Sequence, residues 1–222
     1  MDVLELHPWR VSPKEAVEIQ KILSKRIKFN NKFKGEIRTL AACDAWFNED
    51  KIYAAVCIFS FPGNRLLEVV KKNIVCEFPY IPGLLAFREG PGLISCFKSI
   101  KIEPDLIIFD GQGIAHPRKM GLATHLGILL DRPTIGCAKN LLVGRYVLNL
   151  GKEKGSYRLL KNSRGEIVGA ALRTREGIKP IFVSCGYKIY LSLALKIVLN
   201  LCDKYRLPEP LRIAHQEARR MN

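Results

Sequence analysis

The chain has 222 residues, 48% apolar and 26% charged, which suits one globular domain over residues 1–222 with a sizeable core. Its 36 Lys and Arg against 21 Asp and Glu leave a formal charge of +15, which points to an anionic partner, nucleic acid or a membrane surface. Seven scattered cysteines without a C-x-x-C pair argue against a zinc ribbon and for buried thiols in a reducing cytoplasm. The start, MDVLELHPWR, does not read as a signal peptide, and no apolar run reaches the roughly 18 residues of a spanning helix. A soluble, cytoplasmic protein is expected, with no membrane partner.

Ser12-Pro13 reads as an N-cap followed by proline at the first helical position, and Ala16, Ile19, Leu23 and Ile27 continue a helical period to about Lys28. The polar stretch NNKFKGE then reads as a loop. Thr39 to Asn48 and Lys51 to Phe61 read as strands about a turn at Asn48-Glu49-Asp50, and a turn at Pro62-Gly63-Asn64 leads to a third strand, Arg65 to Val75. Together they predict an antiparallel meander. A helix from Gly83 to Ser99 is expected to be interrupted near Gly90-Pro91. Leu106 to Asp110 is a short buried strand, followed by a helix from Lys119 to Leu130 and a strand from Thr134 to Ala138. Gly144 to Gly155 is the most flexible stretch on composition. Further strands are predicted at Arg158–Leu160, Ile167–Arg173 and Ile181–Ser184, then helices at Tyr187–Leu201 and Glu209–Arg220. The fold class is therefore α/β, a mixed sheet flanked by helices.

Three carboxylates interrupt apolar segments. Asp44 sits mid-strand in LAACDAWF, Asp110 closes the strand LIIFD, and Glu89 lies in the helix after PYIPG. Each has a plainer reading: a solvated strand face for Asp44, a turn-forming Asp before glycine for Asp110, a surface helical residue for Glu89. Two acids on adjacent strands and one on a neighbouring helix can also converge, and hard oxygen ligands of that kind suit Mg²⁺ acting on a phosphodiester. Tyr80 stands between Pro79 and Ile81-Pro82, which stiffen it as a wedge for a base stack requires; a core aromatic in a tight loop is the alternative.

The blocks PYIPGLLAFREGP, FDGQGIAHPRKMGLATHLG, PTIGCAK, IFVSCGY and LPEPLRIAH resemble the signature blocks of the endonuclease V family, and the similarity covers nearly the whole chain. The resemblance implies an RNase H-like fold, a meander plus parallel strands. It also implies a monomeric DNA repair enzyme that finds hypoxanthine, flips it and hydrolyses the second phosphodiester 3′ to it. The ends left would be 3′-hydroxyl and 5′-phosphate. By the same resemblance Asp44, Asp110 and Glu89 would hold Mg²⁺, with Mn²⁺ as a substitute, and His215 would lie near the metal. Lys139 would contact the phosphate beside the cut, and His116 would orient water or a phosphate oxygen. Gly83, Leu85, Gly111, Gly113 and Gly121 would border the base pocket, with backbone donors rejecting adenine. An endoribonuclease for inosine-containing RNA and a non-catalytic nucleic-acid-binding protein are the competing readings. The chain departs from the family pattern at Trp46-Phe47, where a polar-aromatic pair is usual, at Tyr187, where a His is usual, and at Tyr190, where an acid is usual. An effect on backbone contacts and on the metal's surroundings is expected from these changes.

Overall fold

The computed structural model describes residues 1–29, 36–146 and 149–221. In chain order the elements are α1 (Pro13–Ser24), β1 (Thr39–Asn48), β2 (Lys51–Ser60), β3 (Leu66–Val75), α2 (Leu85–Phe97), β4 (Leu106–Asp110) and α3 (Leu122–Leu130). There follow β5 (Thr134–Ala138), β6 (Tyr157–Lys161), β7 (Ile167–Leu172), β8 (Ile181–Tyr187), α4 (Leu191–Asn200) and α5 (Glu209–Arg219). One sheet takes the order β3-β2-β1-β4-β5-β8-β7-β6. The pairs β1/β4 and β4/β5 are parallel, and the others are antiparallel. This is the mixed sheet of the RNase H-like class expected from the sequence, meander included.

Alternating side chains along the central strands feed two cores. Cys43, Ile107 and Phe109 pack with residues of α2 and α3 on one face, and Ala42, Ile108 and Cys137 pack with α4 and α5 on the other. All seven cysteines are free thiols, and six are buried. Burial pushes the thiols of Cys57, Cys96, Cys185 and Cys202 up to about 12, so these four behave as small apolar residues. Among the described residues no helix is long and apolar enough to cross a membrane.

Several expected boundaries move, for identifiable reasons. The capping box between Ser12 and Glu15 starts α1 as expected, but the helix ends at Ser24, and Ile27 reaches the core from beyond it. Helix α2 is not interrupted: it runs through Pro91, where the lost backbone bond is offset by tight packing. A Cβ on Gly92 would stand only 3.1 Å from Ala54 Cβ, and one on Gly90 would strike the Trp9 ring. Helix α3 starts at Leu122 instead of Lys119, because Lys119 adopts a left-handed backbone (φ 56°) closing a turn onto His116. Tyr187 ends β8, paired with Thr134, and so does not open α4; Lys188 (φ 49°) separates the two elements. The loop expected at Asn30 to Glu36 lies outside the described residues apart from Glu36, as do Val147 and Leu148 of the stretch expected to be flexible.

Candidate active site

Cys43 pairs with Phe109 across the parallel strands β1 and β4, so the next residues, Asp44 and Asp110, emerge side by side. Because Cys43 and Phe109 face α2 and α3, alternation turns both acids toward the face covered by α5. The solvated-face reading of Asp44 fails, since the residue is only 8% exposed. Glu89 approaches from the second turn of α2 and is equally buried, so it is not a surface glutamate.

These three groups feel one another. Burial holds the Glu89 carboxyl well above the usual carboxylate range, and the charges of Asp44 and Asp110 push it further against the pull of Arg88 and Lys139. Burial also raises Asp110, with the charge of Asp44 adding to it, while Lys139 opposes both. Three acids crowded into a poorly solvated space demand a cation.

Part of that demand is met by Lys139, which leaves the end of β5 and places Nζ 2.5 Å from Asp110 Oδ2. Burial works against the ammonium, but the charge and hydrogen bond of Asp110, with Asp44 behind, outweigh it and raise the amine's pKa. His215, on α5, donates from Nδ1 to Asp44 Oδ2 at 2.7 Å. The other oxygen of Asp44 accepts from the Ala45 amide at 2.8 Å. Asp110, Lys139 and His215 line a cavity of about 450 Å³ together with Tyr205, Arg206 and Arg212. Arg206 was not singled out from the sequence. It donates through Nη2 to the Lys139 and Pro180 carbonyls at 2.7 Å each, tying the end of β5 to the start of β8.

The loop carrying Tyr80 is pinned at both ends. At its start, Arg88 Nη1 donates to the Phe78 carbonyl at 2.8 Å while its guanidinium lies 4.2 Å from the centre of the Phe47 ring. At its end, the Gly83 carbonyl accepts from Gln20 Nε2, His116 Nε2 and Arg118 Nη2 at 3.1, 2.8 and 2.9 Å. Gly83 has φ +84°, a left-handed conformation that glycine adopts without strain. Between these anchors Tyr80 is 68% exposed, which rules out the core-aromatic reading. Pro79 and Pro82 are exposed beside it, and Ile81 packs inward on the cluster of Phe78, Leu84 and Phe87.

His116 therefore sits away from solvent, with both nitrogens engaged. Nε2 donates to Gly83, and Nδ1 accepts from the Arg118 and Met120 amides at 3.1 and 3.2 Å. These bonds brace the Tyr80 loop. Burial holds the His116 pKa down, at about 4, so the ring is neutral. Gln20 missed notice as well, yet it is fully buried and joins α1 to this network, bonding Arg118 Nε at 2.6 Å. Its signal was a polar residue at an i, i+4, i+7 position with Ala16 and Leu23 on the apolar face of α1.

Leu85 opens α2, two residues after Gly83. Gly113 and Gly121 are packing glycines: a Cβ at either would fall within 2.3 Å of a backbone oxygen, Cys185 O or Gln112 O. Gly111 is less tight, its Cβ position 3.3 Å from the Leu122 side chain. Of the departures, Phe47 supports Arg88, and Trp46 packs 5.6 Å from the Tyr53 ring. Tyr187 is buried, bonds Asp131 Oδ1 at 3.3 Å and pairs with Thr134 at the beginning of β5. That is four residues, or roughly 13 Å, from the Ala138 end that carries Lys139. The change therefore lies outside the acidic centre. Tyr190 is half exposed at the start of α4.

Among the described residues no three His, Cys, Asp or Glu side chains form a ready-made metal cage. The donor set nevertheless fits Mg²⁺, which keeps several waters and takes one or two carboxylates plus substrate phosphate oxygens. It does not fit a structural zinc site, which closes around four protein ligands.

Comparison with known proteins agrees with this geometry. The family model described as Endonuclease V matches residues 21–216. The endonuclease V of Dictyoglomus turgidum is 47% identical over 217 residues, covering 98% of this chain and 93% of that protein. The crystal structure of endonuclease V from Streptomyces avermitilis superposes with a TM-score of 0.90 at 35% identity, covering 100% of this chain and 97% of that one. A Ciona intestinalis endonuclease V, crystallised with a 23mer DNA containing an inosine followed by a ribo-adenosine, superposes with a TM-score of 0.81 at 26% identity, covering 95% and 98%. With matches of this extent in sequence and in fold, the chain belongs to the endonuclease V family.

Proposed function

We propose that this protein is a monomeric, Mg²⁺-dependent repair endonuclease that recognises hypoxanthine in DNA and hydrolyses the second phosphodiester bond 3′ to it. The observation that carries the reading is the convergence of Asp44, Asp110 and Glu89 beside Lys139, next to a pinned loop that exposes Tyr80. Family membership and the inosine-containing ligand of the Ciona relative support the substrate.

The steps follow from the residues. The +15 charge draws the chain onto a phosphate backbone without regard to sequence. Tyr80 enters the base stack; its loop is already fixed by Arg88 and the Gly83 bonds, so little ordering entropy is lost on insertion. Unstacking costs a few kcal/mol, least at a mispaired base such as hypoxanthine opposite thymine. The Gly83–Leu85 turn, together with Gly111, borders the space for the displaced base. Asp44 and Asp110 would hold the metal, with Glu89 completing the acidic site and His215 fixing the orientation of Asp44. Bound there, Mg²⁺ would supply Lewis-acid stabilisation and a water of lowered pKa. Lys139, which pairs with Asp110 here, would offset negative charge on the phosphate being cut.

Parallel cleavage of matched inosine-containing DNA and RNA strands tests the substrate. Faster cutting of DNA is expected; cutting confined to RNA would move the reading to an endoribonuclease. Cutting of neither strand with Mg²⁺ or Mn²⁺, with binding intact, would point to a non-catalytic binding protein.

A further inference from the structure

Strand β6 is the outer edge of the sheet, four strands from β4, and most of its residues are exposed. Beside it lies a concavity of about 980 Å³ whose lining includes Arg145, Tyr146, Tyr157, Arg158 and Lys161, and, among the described residues, no acidic one. Arg145 and Lys161 exchange backbone hydrogen bonds at 2.8 and 2.9 Å in a single isolated bridge, which holds the two residues opposite each other. Arg158 bonds only the Tyr157 carbonyl, and none of the three cations forms an ion pair with another described residue.

The sheet register locates this patch relative to the cut. Ala138 pairs with Phe182, Phe182 with Ala171, and Ala171 with Arg158. Arg158 therefore shares the row and face of Ala138, opposite to the face of Cys137 and Asp110, while Tyr157, one residue earlier, connects through Leu172 to Ile181 on the face of Asp110, at the same end of the sheet. Three strand spacings separate Arg158 from Ala138, roughly 14 Å, or about four base steps of a duplex strand. A backbone leaving the site on the Lys139 side meets Tyr157 first, with Arg158 beside it at the edge of the sheet, and then Lys161 and Arg145 further along β6. Tyr157, half exposed, offers a ring beside the cations.

We infer that the β6 concavity is a second binding surface for the nucleic-acid backbone, about four base steps from the scissile phosphate on the Lys139 side. The inference rests on the polynucleotide-cutting reading above. Its occupant is the phosphate backbone, because the lining is cationic and the register continues the path past Lys139. A competing job for these cations is to keep an exposed edge strand from pairing with a second copy.

The test measures affinity by fluorescence anisotropy, and nicking, on inosine duplexes. One duplex has long arms; in two others the arm on one side or the other ends about three base pairs beyond the cut or the lesion. The parent should bind one of the shortened duplexes about tenfold more weakly than the long one. The triple variant Arg145→Ala, Arg158→Ala, Lys161→Ala should bind the long duplex as weakly as the parent binds that shortened one. Its plot of log Kd against log salt should be shallower by about 2 to 3, near 0.9 for each phosphate no longer neutralised. On the shortened duplex, parent and variant should nick alike, which also shows that the variant is folded. Equal affinity of the parent for all three duplexes would overturn the inference without need of any variant. So would a variant that binds the long duplex normally but self-associates, the edge-protection outcome. Failure of the parent to nick any of the duplexes would count against the proposed function, while the dependence of affinity on arm length would still report on the patch.

Discussion

His215 Nδ1 donates to Asp44 Oδ2 at 2.7 Å, joining α5 to the middle of β1 across 171 residues of sequence. Since Asp44 and Asp110 stand side by side on adjacent parallel strands, this bond fixes one of two neighbouring carboxylates while Lys139 fixes the other. The site is thus held from two helices and three strands, and each clamp makes a separate expectation.

Glu89 is the member kept against its own solvation. Replacing it by Gln removes a buried charge among like charges without changing shape. The metal-free Glu89→Gln protein should therefore be at least as stable as the parent at pH 8, by roughly 1 kcal/mol or about 2–4 °C in thermal midpoint, while nicking falls sharply. Differential scanning calorimetry measures the first part; a clear drop in midpoint would mean that Glu89 is not crowded by Asp44 and Asp110.

Tyr80 touches solvent and little else, so Tyr80→Ala should leave the thermal midpoint within about 1 °C of the parent. Base–aromatic stacking is worth about 1–3 kcal/mol. The variant should accordingly lose about tenfold or more in affinity for an inosine duplex and much less for an undamaged one. Unchanged selectivity in a competition assay would remove the wedge.

His116 is neutral, with a folded pKa of about 4 against an ordinary value near 6.5. Because the folded pKa is depressed, the unfolded chain takes up a proton that the fold refuses. The stability at stake is fully present above pH 6.5 and is lost as pH falls from there toward 4, to a limit of about 3 kcal/mol. His116→Asn should be less stable than the parent at pH 7, and the gap should narrow by that amount by pH 4. His7 and His125 act in the same direction. His7 Nδ1 donates to the Pro8 carbonyl, so its Nε2 accepts from His125 at 2.7 Å, and burial lowers both rings. A parent-to-variant gap in urea unfolding that ignores pH would contradict the assignment.

Arg206 positions Lys139 by holding its carbonyl. Arg206→Ala should lower kcat by about 10–100-fold with a smaller effect on KM, since a displaced lysine is missed mainly in the transition state. Arg206→Lys should rescue only in part, because one ammonium replaces a fork that spans two carbonyls. A loss confined to KM would instead make Arg206 a substrate-binding residue.

Much of this was legible in the chain. The strands Thr39–Asn48, Leu106–Asp110 and Thr134–Ala138 have the residues their patterns predicted, because apolar runs of that length bounded by turns have few alternatives. The three acids stood out as charges inside apolar runs. What stayed hidden depends on distant partners. Nothing local says that Gln20, Arg118 and His116 meet on one carbonyl, or that Arg206 spans β5 and β8. Helix α2 runs through Pro91 because tertiary packing outweighs a local penalty, and Tyr187 belongs to a strand because its partner is Thr134. His116 drew attention through its motif, yet its bonds are those of a brace.

The most direct test uses a labelled duplex with one inosine, with and without Mg²⁺, the cut mapped at nucleotide resolution for the parent and for Asp110→Ala. The parent should make a single nick at the second phosphodiester 3′ to the inosine, only with the metal. Asp110→Ala should bind the lesion but cut at least about 10²–10³-fold more slowly. Nicking by the parent without any divalent metal, or full activity of Asp110→Ala, would contradict a metal site built on Asp44, Glu89 and Asp110.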